Sequence, residues 1–389
     1  MYKILKLNQI SAKGLERFPL DRYEVASEIT RPDAILVRSH MLSPEDIVPS
    51  LKAIARAGAG VNNIPVSVCT EQGIPVFNTP GANANAVKEL VLAALILSSR
   101  GIVGSIQYVK SLNHVTDAEE MKNLVETNKK KFKGQEVAGK TLGVVGLGKI
   151  GSLVADMGLK LDMEVVGFDP ELSVDAAWRL SNQTQKMENL RSLFSQSDYV
   201  TLHLPVLETT RNTINHETIQ FFKPGTRLLN FSRGEIVDPS AIATALDNGQ
   251  LACYVTDFPA PELVGRDDVI LMPHIGASTA EAEDSCAVMA VEQLIDFLDH
   301  GNITNSVNFP ASYLERTSTY RIALSNKNVP GMLGKIMAIL AERSINISEM
   351  LNKSRHEIAY NLIDIETPPT AELLADLKQI NGVINVRNI

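Results

Sequence analysis

The stretch that decides the fold is Thr141-Leu142-Gly143-Val144-Val145-Gly146-Leu147-Gly148-Lys149-Ile150-Gly151, with Val165-Val166-Gly167-Phe168-Asp169-Pro170 downstream. The first apolar run reads as a buried strand, Thr141 to Gly146. Helical spacing follows from Lys149 to Leu161, and Glu164 to Asp169 reads as the next strand. The three glycines between strand and helix have mechanical roles: Gly146 permits a tight turn, Gly148 lets the backbone approach a pyrophosphate, and Gly151 lets the helix lie against the strand. The helix start at Lys149 and Ile150 then offers unpaired N–H groups to phosphate. Asp169 stands eighteen positions after Gly151, where a carboxylate binds a ribose 2′-hydroxyl and repels a 2′-phosphate. No arginine follows it directly, so the expected cofactor is NAD rather than NADP.

Working outward, the pattern continues with strands near Tyr199–Leu202, Thr226–Asn230, Ala252–Thr256 and Val269–Leu271, which implies a doubly wound parallel sheet. Upstream, Ile35–Arg38, Ile54–Ala57 and Val76–Asn78 read as strands of another βα sheet, followed by a helix from Asn85 to Gly101. A helix over Ala280–His300 ends at Gly301, a residue suited to the left-handed position that closes helices. Beyond Asn302–Pro310 the texture changes. Residues 318–389 read as strand (Tyr320–Leu324), helix (Met332–Glu342), two strands (Ile345–Lys353, Ile358–Glu366), helix (Ala371–Gln379) and strand (Val383–Arg387). This is a βαββαβ ferredoxin-like unit, with Asn302–Thr317 as linker.

A chain of 389 residues exceeds what one core supports. With 44% hydrophobic and 21% charged residues it reads as folded throughout. The net charge of −8 argues against nucleic acid as a partner. The longest apolar stretch, Ala86–Ser98, is interrupted by Lys88 and Glu89 and is too short for a bilayer, and Met1–Asn8 lacks a signal-peptide pattern, so the expectation is a cytoplasmic protein with no membrane partner. Cys69, Cys253 and Cys286 lie far apart, and the histidines lack ligand spacing, so no metal site is expected.

Three segments follow strands of the second sheet: Asn230-Phe231-Ser232-Arg233-Gly234, Thr256-Asp257-Phe258-Pro259-Ala260-Pro261-Glu262, and Pro273-His274-Ile275-Gly276-Ala277-Ser278-Thr279. The carboxyl ends of such strands form a common ligand crevice. Oxidising a 2-hydroxy acid needs a base for the hydroxyl proton and a fixed cation for the carboxylate. His274 suits the first task, Arg233 with its planar fork the second. Glu262 is the candidate carboxylate to orient the imidazole.

These motifs resemble the D-isomer-specific 2-hydroxyacid dehydrogenases, and the Pro-His-x-Gly-Ala-Ser-Thr ending is similar to the phosphoglycerate branch of that family. The likeness covers about residues 30 to 310. It implies that Arg233, Glu262 and His274 are catalytic, although the family reads Glu-Pro where this chain has Glu262-Leu263. It also implies that Asp257 and the backbone near Phe231 and Gly276 hold the nicotinamide carboxamide; His203, Pro205 and Ser232 complete the cofactor candidates. The fold implied is a discontinuous flavodoxin-like substrate domain (1–97 with 281–310) hinged to a Rossmann NAD domain (98–280), closing on its substrate.

In the phosphoglycerate branch, arginines in the loops matching Leu36-Val37-Arg38-Ser39 and Arg56 to Asn63 offer charge to a phosphate. Arg38, Ser39, Arg56, Gly58 and Asn83 are the substrate candidates on this basis. The run Lys129-Lys130-Lys131-Phe132-Lys133 reads first as a solvated surface, with a positive rim to the site, supplied from a partner subunit in a homo-oligomer (dimer or tetramer), as the alternative. Residues 318–389 resemble the ACT regulatory fold. Asn326, Asn328 and Asn346 match effector positions, although a histidine of serine-inhibited relatives is replaced by Asn326. The expectation is oxidation of D-3-phosphoglycerate to 3-phosphohydroxypyruvate, the entry to serine synthesis, with serine as effector. The alternatives are a hydroxypyruvate or glyoxylate reductase of the same family and an NADH-sensing binding protein without turnover.

Overall fold

The computed structural model describes residues 1–178 and 180–389. The chain groups into two compact units, Met1–Asn83 with Ala280–Ile389, and Ala84–Thr279.

In the first unit, strands β1 (Tyr2–Leu7), β2 (Tyr23–Ala26), β3 (Ala34–Val37), β4 (Ala53–Arg56) and β5 (Val76–Phe77) form a parallel sheet in the order β2-β1-β3-β4-β5. This is the flavodoxin-like winding. β3 is buried at every residue, which is why its sequence is a continuous apolar run rather than an alternation. β1 and β2 were not read from sequence, because lysines and a glutamate interrupt their apolar residues. The helix Ala280–His300 lies against β3 and β4 and supplies Ala287, Ala290, Val291 and Leu294 to the core.

The same unit carries a third, antiparallel sheet: β13 (Tyr320–Lys327), β14 (Ile347–Arg355), β15 (Ile358–Ile365) and β16 (Val383–Asn388), ordered β14-β15-β13-β16. The helices Met332–Glu342 and Ala371–Gln379 cover one face, with Ile336, Leu340, Leu373 and Leu377 packed on Ile322, Leu324 and Ile363. This small sheet with two helices fits an ACT-like domain. Its other face is not free. Ala323, Ile358, Tyr360 and Leu362 share one core with Phe297, Leu298, Phe309 and Ile4. The segment 302–317, read from sequence as a linker, is packed as well, with Ile303, Phe309 and Leu314 buried.

The second unit holds β6 (Thr141–Val145), β7 (Glu164–Phe168), β8 (Gln185–Lys186), β9 (Tyr199–Leu202), β10 (Thr226–Asn230), β11 (Leu251–Thr256) and β12 (Val269–Leu271). All pairs are parallel, in the order β12-β11-β10-β9-β6-β7-β8. The winding reverses between β6 and β9, so the ligand crevice opens at their carboxyl ends. The sequence reading divided the chain at 97/98, whereas the helix Ala84–Ser99 belongs to this unit. Its apolar stripe, Val87, Val91, Ala94 and Leu95, packs with Leu142, Val144 and Val154. Among the described residues no single helix is long and apolar enough to cross a membrane.

Candidate active site

The glycine loop sits between β6 and the helix Lys149–Lys160. Gly146 has φ +88°, and a Cβ there would stand 2.5 Å from the His203 carbonyl, so only glycine fits the turn. A Cβ on Gly151 would run into the Gly146 carbonyl. Gly148 differs: a Cβ there would meet nothing, so it faces open space at the N-terminus of the helix. That is the cradle a pyrophosphate requires, with Lys149 and Ile150 beginning the helix above it. Asp169, one residue beyond β7, accepts from the Leu147 N–H (Oδ2, 2.8 Å) and from the Glu171 N–H (Oδ1, 3.0 Å). The carboxylate is thereby fixed against the loop before any ribose arrives.

His203 follows β9, and its Nε2 lies 3.0 Å from Thr201 Oγ1. Burial pushes its pKa down to about 3, so the ring is neutral, and its buried Nδ1 has no partner among the described residues. Pro205 is exposed two residues later.

At the ends of β10, β11 and β12 the chain is tied together by buried polar groups. Phe231 and Ser232 are buried after β10. The Asn230 side chain accepts from the Ser232 N–H and hydroxyl, and its Nδ2 donates to the Arg233 carbonyl at 2.9 Å. Thr256, last residue of β11, donates its hydroxyl to the Asn230 carbonyl (2.8 Å) and accepts from the Phe258 N–H (3.0 Å). Asp257, 1% exposed, accepts from the Gly276 N–H at 2.8 Å through Oδ2, while its buried Oδ1 has no partner among the described residues. A buried carboxylate oxygen without a donor fits a carboxamide N–H. Together with the Gly148 cradle and Asp169, the residues present fit a nicotinamide dinucleotide.

Arg233 is half-buried and extended, with Nη1 donating to the Ser232 carbonyl. His274 is exposed on the loop after β12, its ring centroid 4.7 Å from that of Phe258 at 48°. The strands that precede Arg233 and His274, β10 and β12, are separated only by β11, which puts the strand ends Asn230 and Leu271 about 10 Å apart at ordinary strand spacing. A cavity of about 700 Å³ lies beside them, lined by His274, Phe258, Tyr254, Leu263, Val237 and Gly234 among others. Glu262 is not brought to the imidazole. It sits exposed on the turn Pro261–Leu263, and no carboxylate among the described residues hydrogen-bonds His274.

The substrate candidates belong to the other unit. Arg38 forms an ion pair with Glu283 at 2.7 Å. Arg56 donates to the carbonyls of Arg38 (2.9 Å) and Gly60 (2.5 Å), and Gly58 lies against its guanidinium. The Ser39 N–H binds Asn8, and Asn83 is the last residue before the boundary. In the third sheet Asn326 is buried, donating to the Lys327 carbonyl and accepting from Asn361. Asn328 and Asn346 are exposed; their amides reach the His356 carbonyl and the Glu366 carboxylate.

Sequence reasoning gave no role to Asn230, Thr256 or Phe258. The available signal for the first two was a polar residue closing the apolar run of each strand, Asn230 after Leu228-Leu229 and Thr256 after Leu251 to Val255; nothing marked Phe258.

Comparison with known proteins agrees with this geometry. Residues 102–276 match the family described as D-isomer specific 2-hydroxyacid dehydrogenase, NAD binding domain. D-3-phosphoglycerate dehydrogenase of Haemophilus influenzae is 34% identical over 363 residues, covering 90% of this chain and 84% of that protein. The enzyme of the same name from Escherichia coli K12 is 31% identical over 384 residues, covering 95% and 89%. The NAD+-bound 3-phosphoglycerate dehydrogenase of Entamoeba histolytica superposes with a TM-score of 0.62 at 24% identity, covering 80% of this chain and 99% of that one, and shares the fold. The chain therefore belongs to the D-isomer specific 2-hydroxyacid dehydrogenase family and is an NAD-dependent oxidoreductase.

Proposed function

We propose that this enzyme oxidises D-3-phosphoglycerate to 3-phosphohydroxypyruvate, the entry step of serine synthesis. The observation that carries the reading is the buried Asn230–Thr256–Asp257 lattice, which ties the strand ends bearing Arg233 and His274 into one rigid frame. When bound, NAD accepts the hydride from C2 of the substrate. Arg233 holds the substrate carboxylate with its planar fork. His274 takes the C2 hydroxyl proton, so that the C2–H and O–H bonds break and a C=O bond forms. The orphaned Oδ1 of Asp257 would accept a carboxamide N–H and so help to hold the nicotinamide.

Arg38 and Arg56 are the proposed phosphate contacts, and Arg38 reaches that role by exchanging Glu283 for the phosphate. Serine is the proposed effector, through Asn328 and Asn346, whose exposed amides reach the His356 carbonyl and the Glu366 carboxylate; Asn326 serves the interior of the sheet. A homo-oligomer is supported by the helices Ile102–Ser111 and Ala118–Asn128, which bury none of their residues and leave Ile106 and Val109 half exposed. Three buried free thiols fit a cytoplasmic compartment.

NADH formation measured with D-3-phosphoglycerate and with D-glycerate tests the substrate. A kcat/KM at least about tenfold higher for the phosphorylated acid is expected, since an anchored phosphate uses charge-assisted hydrogen bonds. Equal values would assign the chain to the hydroxypyruvate or glyoxylate reductases. Absence of turnover with every hydroxy acid would leave an NADH-binding protein.

A further inference from the structure

We infer that Gln293 is a positioning residue for the loop Gly58-Ala59-Gly60, holding it through Asn78 so that its peptide N–H groups face an anionic group of the hydroxy acid. The inference rests on the dehydrogenase reading and deepens it by naming what sets the geometry of that loop.

Gln293 lies on the helix Ala280–His300 in a stretch that is otherwise apolar, where Ala290, Val291 and Leu294 belong to the core of the unit. The side chain is 5% exposed, and its Nε2 donates to the carbonyls of Asn78 (3.0 Å) and Met289 (3.1 Å). Turning the amide over would set its oxygen against both carbonyls, so this orientation is fixed. It leaves Oε1 buried with no partner among the described residues. An apolar side chain of the same size would avoid that penalty, so what the amide supplies here is its donors.

Asn78 follows β5, and its Nδ2 donates to the Ala59 carbonyl, in the loop after β4. The two neighbouring carbonyls are held as well, that of Gly58 by the Thr79 N–H and that of Gly60 by Arg56. In a planar trans peptide the C=O and the N–H of the next residue point in opposite directions. With these three carbonyls turned towards their donors, the N–H groups of Ala59, Gly60 and Val61 turn the other way, and none has a partner among the described residues. The loop is half-buried, so a ligand can reach them. Successive N–H groups of this kind make an anion-binding concavity. Its shape depends on Asn78 staying where Gln293 holds it.

The test is steady-state kinetics on the full-length enzyme with NAD and D-3-phosphoglycerate, for Gln293→Met, Asn78→Ala and the double variant. Val291→Ala, which opens a cavity on the same helix and lowers the melting temperature without touching the relay, is the control. Each single variant of the relay is expected to raise KM for the hydroxy acid about five- to tenfold, the worth of one hydrogen bond. Because the binding lost is shared by ground and transition states, kcat and KM for NAD stay within about twofold. The double variant is no worse than the worse single one, since Gln293 acts through Asn78. Val291→Ala keeps the KM of the parent enzyme. If thermal unfolding shows that Gln293→Met does not fold, Gln293→Leu takes its place. An unchanged KM in the Gln293 variant, fully additive effects in the double variant, or an equal rise of KM in Val291→Ala overturns the inference. Absence of turnover by the parent enzyme with every hydroxy acid would instead sink the dehydrogenase reading on which it stands.

Discussion

At the scale of single residues, the proposed chemistry divides between Arg233 as the cation and His274 as the base. Arg233 has its carbonyl pinned by Asn230 and its guanidinium anchored on the Ser232 carbonyl, so the fork is presented rather than free. Replacing it with lysine puts a point charge where two directed hydrogen bonds are needed. Arg233→Lys is expected to lower kcat/KM for the hydroxy acid by about a hundredfold, roughly the worth of charge-assisted hydrogen bonds, with KM for NAD little changed; initial-rate kinetics checks this, and unaltered constants would contradict it. His274→Ala removes the proposed proton acceptor altogether. A fall in kcat of about a hundredfold or more is expected for positioned acid/base catalysis, and single-turnover NADH formation would show whether the loss lies in the chemical step.

At the scale of elements, two glycines of one loop have opposite reasons for being glycine. Gly146 is required by the fold itself, through φ +88° and the closeness of the His203 carbonyl. Gly148 is unhindered within the protein and is required by what must approach it. Gly146→Ala is therefore expected to lower the melting temperature. Gly148→Ala should leave the melting temperature of the ligand-free enzyme unchanged and weaken NADH binding about tenfold or more, because a methyl group then stands where the backbone meets the pyrophosphate. Fluorescence titration and thermal unfolding, run on both variants, separate the two effects. Loss of stability in Gly148→Ala with normal binding would reverse this assignment.

At the scale of the whole molecule, the C-terminal sheet is part of the core of its unit and not an appendage. Arg321, fully buried, uses all its donors: it forms two bonds to Asp364 (2.5 and 2.8 Å) and donates to the carbonyls of His300, Leu314 and Glu315. Gly301, at φ +75°, closes the long helix and lies against Ile389 and Leu362, and the Tyr360 hydroxyl donates to its carbonyl. Deleting residues 318–389 would strip Ala323, Ile358, Tyr360 and Leu362 from that core. The truncated chain is expected to aggregate or melt at a markedly lower temperature rather than remain as an unregulated enzyme, and a soluble, equally stable product would refute this.

Breaking the ion pair with Arg321→Met leaves a buried carboxylate unpaired and should cost about 3–5 kcal/mol, measurable by denaturant unfolding. Burial alone would push the Asp364 carboxyl up, but the hydrogen bonds and charge of Arg321, helped by Thr317, hold it below the usual carboxylate range. A depressed native pKa stabilises the fold above the unfolded value of about 3.9, and that contribution is lost as pH falls through the native value. Asp364→Asn should accordingly be less stable at neutral pH and lose less stability than the parent enzyme on acidification below about pH 4. Parallel pH-stability curves would exclude the pair as their source.

The sequence by itself determined the dinucleotide loop, the parallel sheet around it, the βαββαβ order at the C-terminus, and Arg233, Asp257 and His274 as residues at strand ends. These are local patterns: glycines with a steric reason, apolar runs of strand length, and polar residues placed just after them. Only the tertiary structure decided that the helix Ala84–Ser99 belongs to the NAD unit, that 302–317 is packed rather than a tether, and that Phe258 rather than Glu262 meets His274. Each of these depends on which buried surface meets which. An apolar stripe states that a partner exists and not which sheet supplies it, and a ring and an imidazole sixteen positions apart become neighbours only when two parallel strands bring their ends together.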